Sequence, residues 1–127
     1  MRRLFLAAAL SLAIAGPALA AGPVPYTQAA FDAAQAQNKP VIVQIHATWC
    51  PTCAKQEPIL AKLLADPANK DVTLMRVDFD KEKDIVRAFG ATTQSTLIAF
   101  HGKTETGRSV GVTDEAAIHT LVDKTKG

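Results

Sequence analysis

The chain has 127 residues, of which 48% are hydrophobic and 20% charged, a balance that fits one globular domain and excludes a disordered or low-complexity segment. Its 14 Lys and Arg stand against 12 Asp and Glu for a formal net charge of +2. No charge run or basic face suggests a nucleic-acid partner.

Residues 1–20 read as a secretory signal peptide: "MRR" is followed by the apolar "LFLAAALSLAIA", a helix-breaking "GP" and then "ALA", so cleavage is expected after Ala20. The apolar run of 12 residues is well short of the ~20 that span a bilayer as a helix. "RRLFL" also resembles the twin-arginine export motif. Removing Arg2 and Arg3 leaves 12 basic against 12 acidic residues, so the basic balance belongs to the targeting segment. Ala21 follows the cut, and no cysteine there can carry a lipid. A soluble periplasmic domain of residues 21–127 is therefore expected, in a compartment oxidising enough to make two cysteines chemically meaningful.

Gly22 to Tyr26 is a short extended leader. "TQAAFDAAQAQN" then predicts a helix capped by Thr27, with Phe31 on its buried side and Asn38, Lys39 and Pro40 ending it. Val41 to Ile45, "VIVQI", is β-branched and apolar nearly throughout, the pattern of a central strand covered on both faces. From Pro51 to Leu64 the composition is helical, with Ile59, Leu60, Leu63 and Leu64 on one side and a kink expected at Pro58. After the loop "DPANKD", a second strand "VTLMRVDF" leads to the helix "KEKDIVRAF", stopped at Gly90. "TLIAF" is a third strand, and "HGKTETG" turns the chain into a fourth around "RSVG". The closing helix carries Asp114 and Glu115 in its first turn and Lys124 and Lys126 in its last, as the helix dipole favours. One α/β domain is expected: a mixed central sheet of about four strands with helices on both faces.

Both cysteines lie in "HATWCPTC", His46 to Cys53. As a structural staple they would do little, since closing a four-residue loop removes only roughly 2 kcal/mol of denatured-state entropy. A structural zinc needs about four ligands, and beyond the two thiols the chain offers only scattered His46, His101 and His119. A C-x-x-C pair directly after a strand favours redox chemistry. Cys50 sits where a buried strand meets a helix, so unpaired amides and the positive end of the dipole favour its thiolate and make it the attacking sulfur. Cys53, one turn inside the helix, is placed to resolve a mixed disulfide. Trp49 is read either as an apolar docking surface beside the pair or as plain core packing.

"VIVQIHATWCPTC", Pro58 five residues after Cys53, and the later "TLIAFHGK" hairpin resemble thioredoxin over essentially the whole of residues 21–127, and "FDAAQAQNKPVIVQI" is similar to exported members of that family. The resemblance implies a thioredoxin fold and a protein-disulfide oxidoreductase with Cys50 as nucleophile, Cys53 as resolving thiol and the two as a redox-active disulfide. It implies no cofactor, an oxidised client protein as partner and a membrane-embedded electron donor, and it suits a monomer. The absence of an inserted helical domain favours a reductant or electron relay over a general oxidant.

Three departures from the family pattern matter. Gln44 stands where the family has a buried Asp, and an amide cannot take the proton of the resolving thiol; Glu57, four residues past Cys53, is then the nearest candidate acid, read also as a solvated surface charge. The C-x-x-C interior is Pro-Thr. Ser95 aligns with the family's cis-proline, and Gln94, before it, with the residue whose backbone receives a client strand. A cis bond before a non-proline residue costs ~2.5–4 kcal/mol, so Gln94–Ser95 is expected trans. Serine brings an N–H and a hydroxyl that proline lacks, and either is expected to be able to donate to the Cys50 thiolate, unless Ser95 merely fills the turn. The rival reading is a thioredoxin-like metal-handling protein in which Cys50 and Cys53, with or without His46, hold copper or another soft ion; another is a scaffold whose disulfide stays closed.

Overall fold

Val41 to Ile45 is buried at every position, because the strand that holds it has a neighbour on each side and helices over both faces. The structure is a computed structural model that describes residues 22–127; the expected signal peptide lies outside them. In sequence the elements are β1 (Val24–Pro25), α1 (Gln28–Ala36), β2 (Pro40–His46), α2 (Pro51–Ala65), a 3-10 turn (Pro67–Asn69), β3 (Thr73–Asp78), α3 (Lys83–Ala88), β4 (Thr96–His101), β5 (Thr104–Val110) and α4 (Glu115–Lys124). They form one sheet in the order β1-β3-β2-β4-β5, with β1, β3 and β2 parallel and β4 and β5 antiparallel.

Alternation along β2 divides the core. Val41, Val43 and Ile45 pack with Phe31 of α1, Val86 of α3 and Phe100 of β4, while Ile42 on the other face meets Leu60, Leu63 and Leu64 of α2 and Ile118, Leu121 and Val122 of α4. The mixed sheet with helices on both faces is thus as expected, with five strands in place of about four. The added strand is the two-residue β1, whose place depends on β3 rather than on its own pattern: Tyr26 N–H donates to the Arg76 carbonyl at 2.9 Å. The fourth expected strand also begins earlier. Gly102, at φ 55°, and Lys103 alone turn the hairpin, so Thr104 to Gly107 belong to β5 rather than to the turn.

Local end signals hold at Thr27 and Gly90, while at α4 Asp114 caps the helix and Lys126 lies past its end. The Thr27 hydroxyl accepts from Ala30 N–H at 3.1 Å, and the Asp114 carboxylate, as the cap of α4 rather than part of its first turn, accepts from Ala117 N–H at 2.9 Å. Gly90 at φ 66° ends α3, its N–H reaching the Arg87 carbonyl and that of Ala91 the Val86 carbonyl, the paired closure a left-handed residue permits. Helix α2 runs through Pro58 to Ala65 as one element. Among the described residues no helix is long and apolar enough to cross a membrane.

Candidate active site

The central strand delivers the chain to the start of α2, and there the two cysteines close on one another. Cys50 is the N-cap of the helix, extended at φ −82° and ψ 111°, with Pro51 in the first turn where its missing N–H costs nothing. Its Sγ accepts from the Cys53 N–H at 3.1 Å. A disulfide joins the pair, with their Cα atoms 5.3 Å apart. Cys53 is fully buried and Cys50 is 3% exposed, so the slight access to this bond is on the Cys50 side. Phe79, just past β3, packs against Ala47, Cys50 and Cys53, a contact with no local signal in the sequence.

Trp49 is 57% exposed. That removes core packing as its role and leaves a large apolar surface directly before Cys50. Its indole N–H donates to the Asp80 carboxylate at 2.7 Å. Asp80 is held in turn by a self-bonded loop: Asp78 Oδ1 accepts from the N–H groups of Asp80 and Lys81, and Glu82 Oε1 accepts from that of Asp78.

Beneath the site, a string of polar side chains links β2, β3 and α2. Gln44 is fully buried and lies beside Arg76 in the parallel register of β2 and β3. Its Oε1 accepts from Arg76 Nε at 3.1 Å. A guanidinium only donates, so the orientation of the Gln44 amide is fixed, and its Nε2 is left buried without a protein partner. Arg76 Nη2 also donates to Glu57 Oε1 at 3.3 Å, and the same oxygen meets His46 Nε2 at 2.8 Å. Glu57 is therefore a half-exposed carboxylate clasped by two basic side chains rather than a simply solvated charge. Arg76 escaped sequence reasoning, although a lone arginine inside the otherwise apolar "TLMRV" was a visible signal.

Ser95 is held from four directions. Its N–H donates to the Ile45 carbonyl at 2.8 Å, its hydroxyl to the Gln94 carbonyl at 2.6 Å, and its own carbonyl accepts from Gly111 N–H at 3.0 Å and Gln56 Nε2 at 3.2 Å. The described residues contain no cis peptide bond, so Gln94–Ser95 is trans, and Ser95 adopts φ 60°, in the left-handed region. The expectation that Ser95 donates to Cys50 is not met: it has one amide proton and one hydroxyl proton, and both are engaged elsewhere. Gln94 is half-buried, its side-chain carbonyl accepting from the Thr93 hydroxyl at 3.1 Å.

Compared with known proteins, residues 22–124 match the thioredoxin family model. The chain belongs to the thioredoxin family. It is 35% identical over 81 residues to a thioredoxin of Mycobacterium tuberculosis, covering 64% of this chain and 69% of that one. It is 33% identical over 93 residues to a bifunctional thioredoxin reductase/thioredoxin of Mycobacterium leprae, covering 72% of this chain but only 20% of that longer protein. Among solved structures, Trxlp from Edwardsiella tarda is similar at TM-score 0.76 and 40% identity, over 80% of this chain and 98% of that one. A mutant thioredoxin from Halobacterium salinarum matches at TM-score 0.73 and 25% identity, over 88% and 97%. The fold is thus the thioredoxin fold, and a thioredoxin-family domain with this cysteine pair is a protein-disulfide oxidoreductase. The metal-handling alternative has no support here: among the described residues no group of three or more His, Cys, Asp or Glu is placed to hold a metal ion, the two thiols are joined in a disulfide, and His46 is engaged with Glu57.

Proposed function

We propose that this thioredoxin-family protein is exported to the periplasm and reduces disulfides of client proteins, or relays electrons to them, through the Cys50/Cys53 couple. One observation carries the assignment of roles: Cys50 Sγ is the cap of α2 and already accepts the Cys53 N–H at 3.1 Å. In the reduced protein that N–H and the helix dipole favour the Cys50 thiolate. The thiolate attacks a client disulfide, forming a Cys50–client disulfide and releasing one client thiolate. Cys53 then loses its proton and attacks Cys50 Sγ, which re-forms the internal disulfide and releases the second client thiolate. Two electrons pass to the client, to be restored by a membrane-embedded donor.

Gln44 cannot take the Cys53 proton. Glu57, one helical turn beyond Cys53 and oriented by Arg76 and His46, is the carboxylate we assign to it. Trp49 and the edge formed by the Gln94 backbone beside Ser95 make the surface against which the client lies. The export step rests on the signal-peptide pattern of residues 1–20.

The decisive experiment is trapping. Cys53→Ser is expected to accumulate mixed disulfides between Cys50 and client proteins in a periplasmic extract, and Cys50→Ser to accumulate none. Equal trapping by both variants would abolish the assigned roles, and trapping by Cys50→Ser alone would reverse them. The reduction potential then fixes direction, a value near ~−270 mV indicating a reductant and one near ~−120 mV an oxidant.

A further inference from the structure

Helix α2 turns an apolar face to the core, made by Leu60, Leu63 and Leu64, yet one residue of that buried surface is an amide. Gln56 is fully buried. A buried polar side chain is disfavoured unless it is hydrogen-bonded, and Gln56 directs its donors to two main-chain carbonyls remote in sequence: that of Ser95 at 3.2 Å and that of Val112 at 2.9 Å. Both partners only accept, so the NH2 group must face them. Its Oε1 is consequently buried without a partner. The amide accepts that loss in order to reach both carbonyls.

The two carbonyls belong to the segments that frame the entry of β4. Ser95 is the last residue before β4, and Val112 follows β5, whose Val110 pairs with Thr96. Gly111 N–H donates to the same Ser95 carbonyl at 3.0 Å, so Gln56 and the end of β5 grip one oxygen together. Ser95 needs the grip because φ 60° is disfavoured for a side chain with a Cβ, and such conformations persist only where the surroundings over-determine them.

We propose that Gln56 is a positioning residue for client binding: by clamping the Ser95 carbonyl from beneath, it sets the geometry of the Gln94–Ser95 edge and so the affinity for a polypeptide disulfide, without taking part in thiol chemistry. This rests on the assignment of that edge to client docking. The effect is on KM, because the clamp acts on the surface that receives the polypeptide backbone, whereas a small disulfide needs only the sulfurs.

The test compares insulin, as a polypeptide disulfide, with a small aromatic disulfide, 5,5′-dithiobis(2-nitrobenzoate), in the parent, Gln56→Met and Gln94→Pro. Methionine keeps length and volume but removes both donors. Gln56→Met is expected to raise KM for insulin about tenfold, a loss of about 1.4 kcal/mol, while kcat and the rate with the small disulfide stay within about twofold. Gln94→Pro alters the docking edge directly and is expected to raise the same KM. If Gln94→Pro raises KM and Gln56→Met does not, the positioning role is wrong and the docking edge stands. If neither does, the docking assignment fails and the proposal with it. A parallel loss of kcat and of small-disulfide reactivity in Gln56→Met also overturns it. Should that variant not fold, Gln56→Asn, which keeps an amide one methylene too short to span both carbonyls, is judged by the same KM criterion.

Discussion

Replacing Ser95 by proline tests the backbone around the site more severely than any other single change. Ser95 holds φ at 60° whereas proline fixes it near −65°, a mismatch of about 125°. The substitution also deletes the N–H that donates to the Ile45 carbonyl at 2.8 Å. Ile45 is fully buried, and an acceptor left unpaired there costs ~1–3 kcal/mol. With the dihedral conflict added, the loss should reach about 3 kcal/mol or more, a large share of the ~5–15 kcal/mol that holds a domain folded. For a domain of this size the melting temperature would fall by roughly 12–15 °C. The control is Ser95→Gly, which adopts positive φ freely but widens the unfolded ensemble and gives up the hydroxyl bond to Gln94, so its stability should stay within ~1 kcal/mol of the parent. Urea unfolding of the oxidised proteins at 25 °C, with m-values compared, separates the cases. A proline variant as stable as the parent would refute the reasoning, because it would mean that neither the left-handed backbone nor the bond to Ile45 is needed at this position.

In the reduced protein, an alkylating agent at mildly acidic pH should modify Cys50 before Cys53, as mass-spectrometric mapping will show; faster labelling of Cys53 would exchange their roles. Glu57→Gln should slow resolution of a Cys50 mixed disulfide at least about tenfold and flatten its rise with pH, since the proton acceptor is gone; an unchanged pH profile in stopped-flow measurements removes Glu57 from the step. Trp49→Ala should cost less than ~1 kcal/mol of stability, because the ring is 57% exposed and its bond to Asp80 is on the surface, yet it should weaken capture of a polypeptide client measured as KM.

What could be read from the sequence was what is encoded locally. The nearly continuous apolar run of β2, the cap at Thr27, the stop at Gly90 and the C-x-x-C pair at a strand-to-helix junction each depend on a few neighbouring residues. What stayed hidden depends on register. Val24–Pro25 is a strand only because β3 lies beside it, and Arg76 reaches Gln44 only because β2 and β3 pair in one alignment. Gln56 has the composition of an exposed helix position, and only the return of the chain at Ser95 and Val112 explains its burial. The engagement of both Ser95 donors was likewise set by Ile45, remote in sequence, and by the left-handed turn at Ser95, for which "TTQST" offers no glycine or asparagine.

Cys50 caps a helix with the same sulfur that exchanges electrons, and the two duties pull against each other. A thiolate accepts the Cys53 N–H more strongly than a disulfide sulfur does, so capping strengthens when the pair is reduced and relaxes when it is oxidised. Every increment of stability that the cap gives the dithiol form is withdrawn from its driving force to give electrons away, which is why a family member with a strongly stabilised reduced form is an oxidant. The end of α2 is therefore a dial: tightening the hydrogen bond at Cys50 turns a donor of electrons towards an acceptor, with no change in the cysteines themselves.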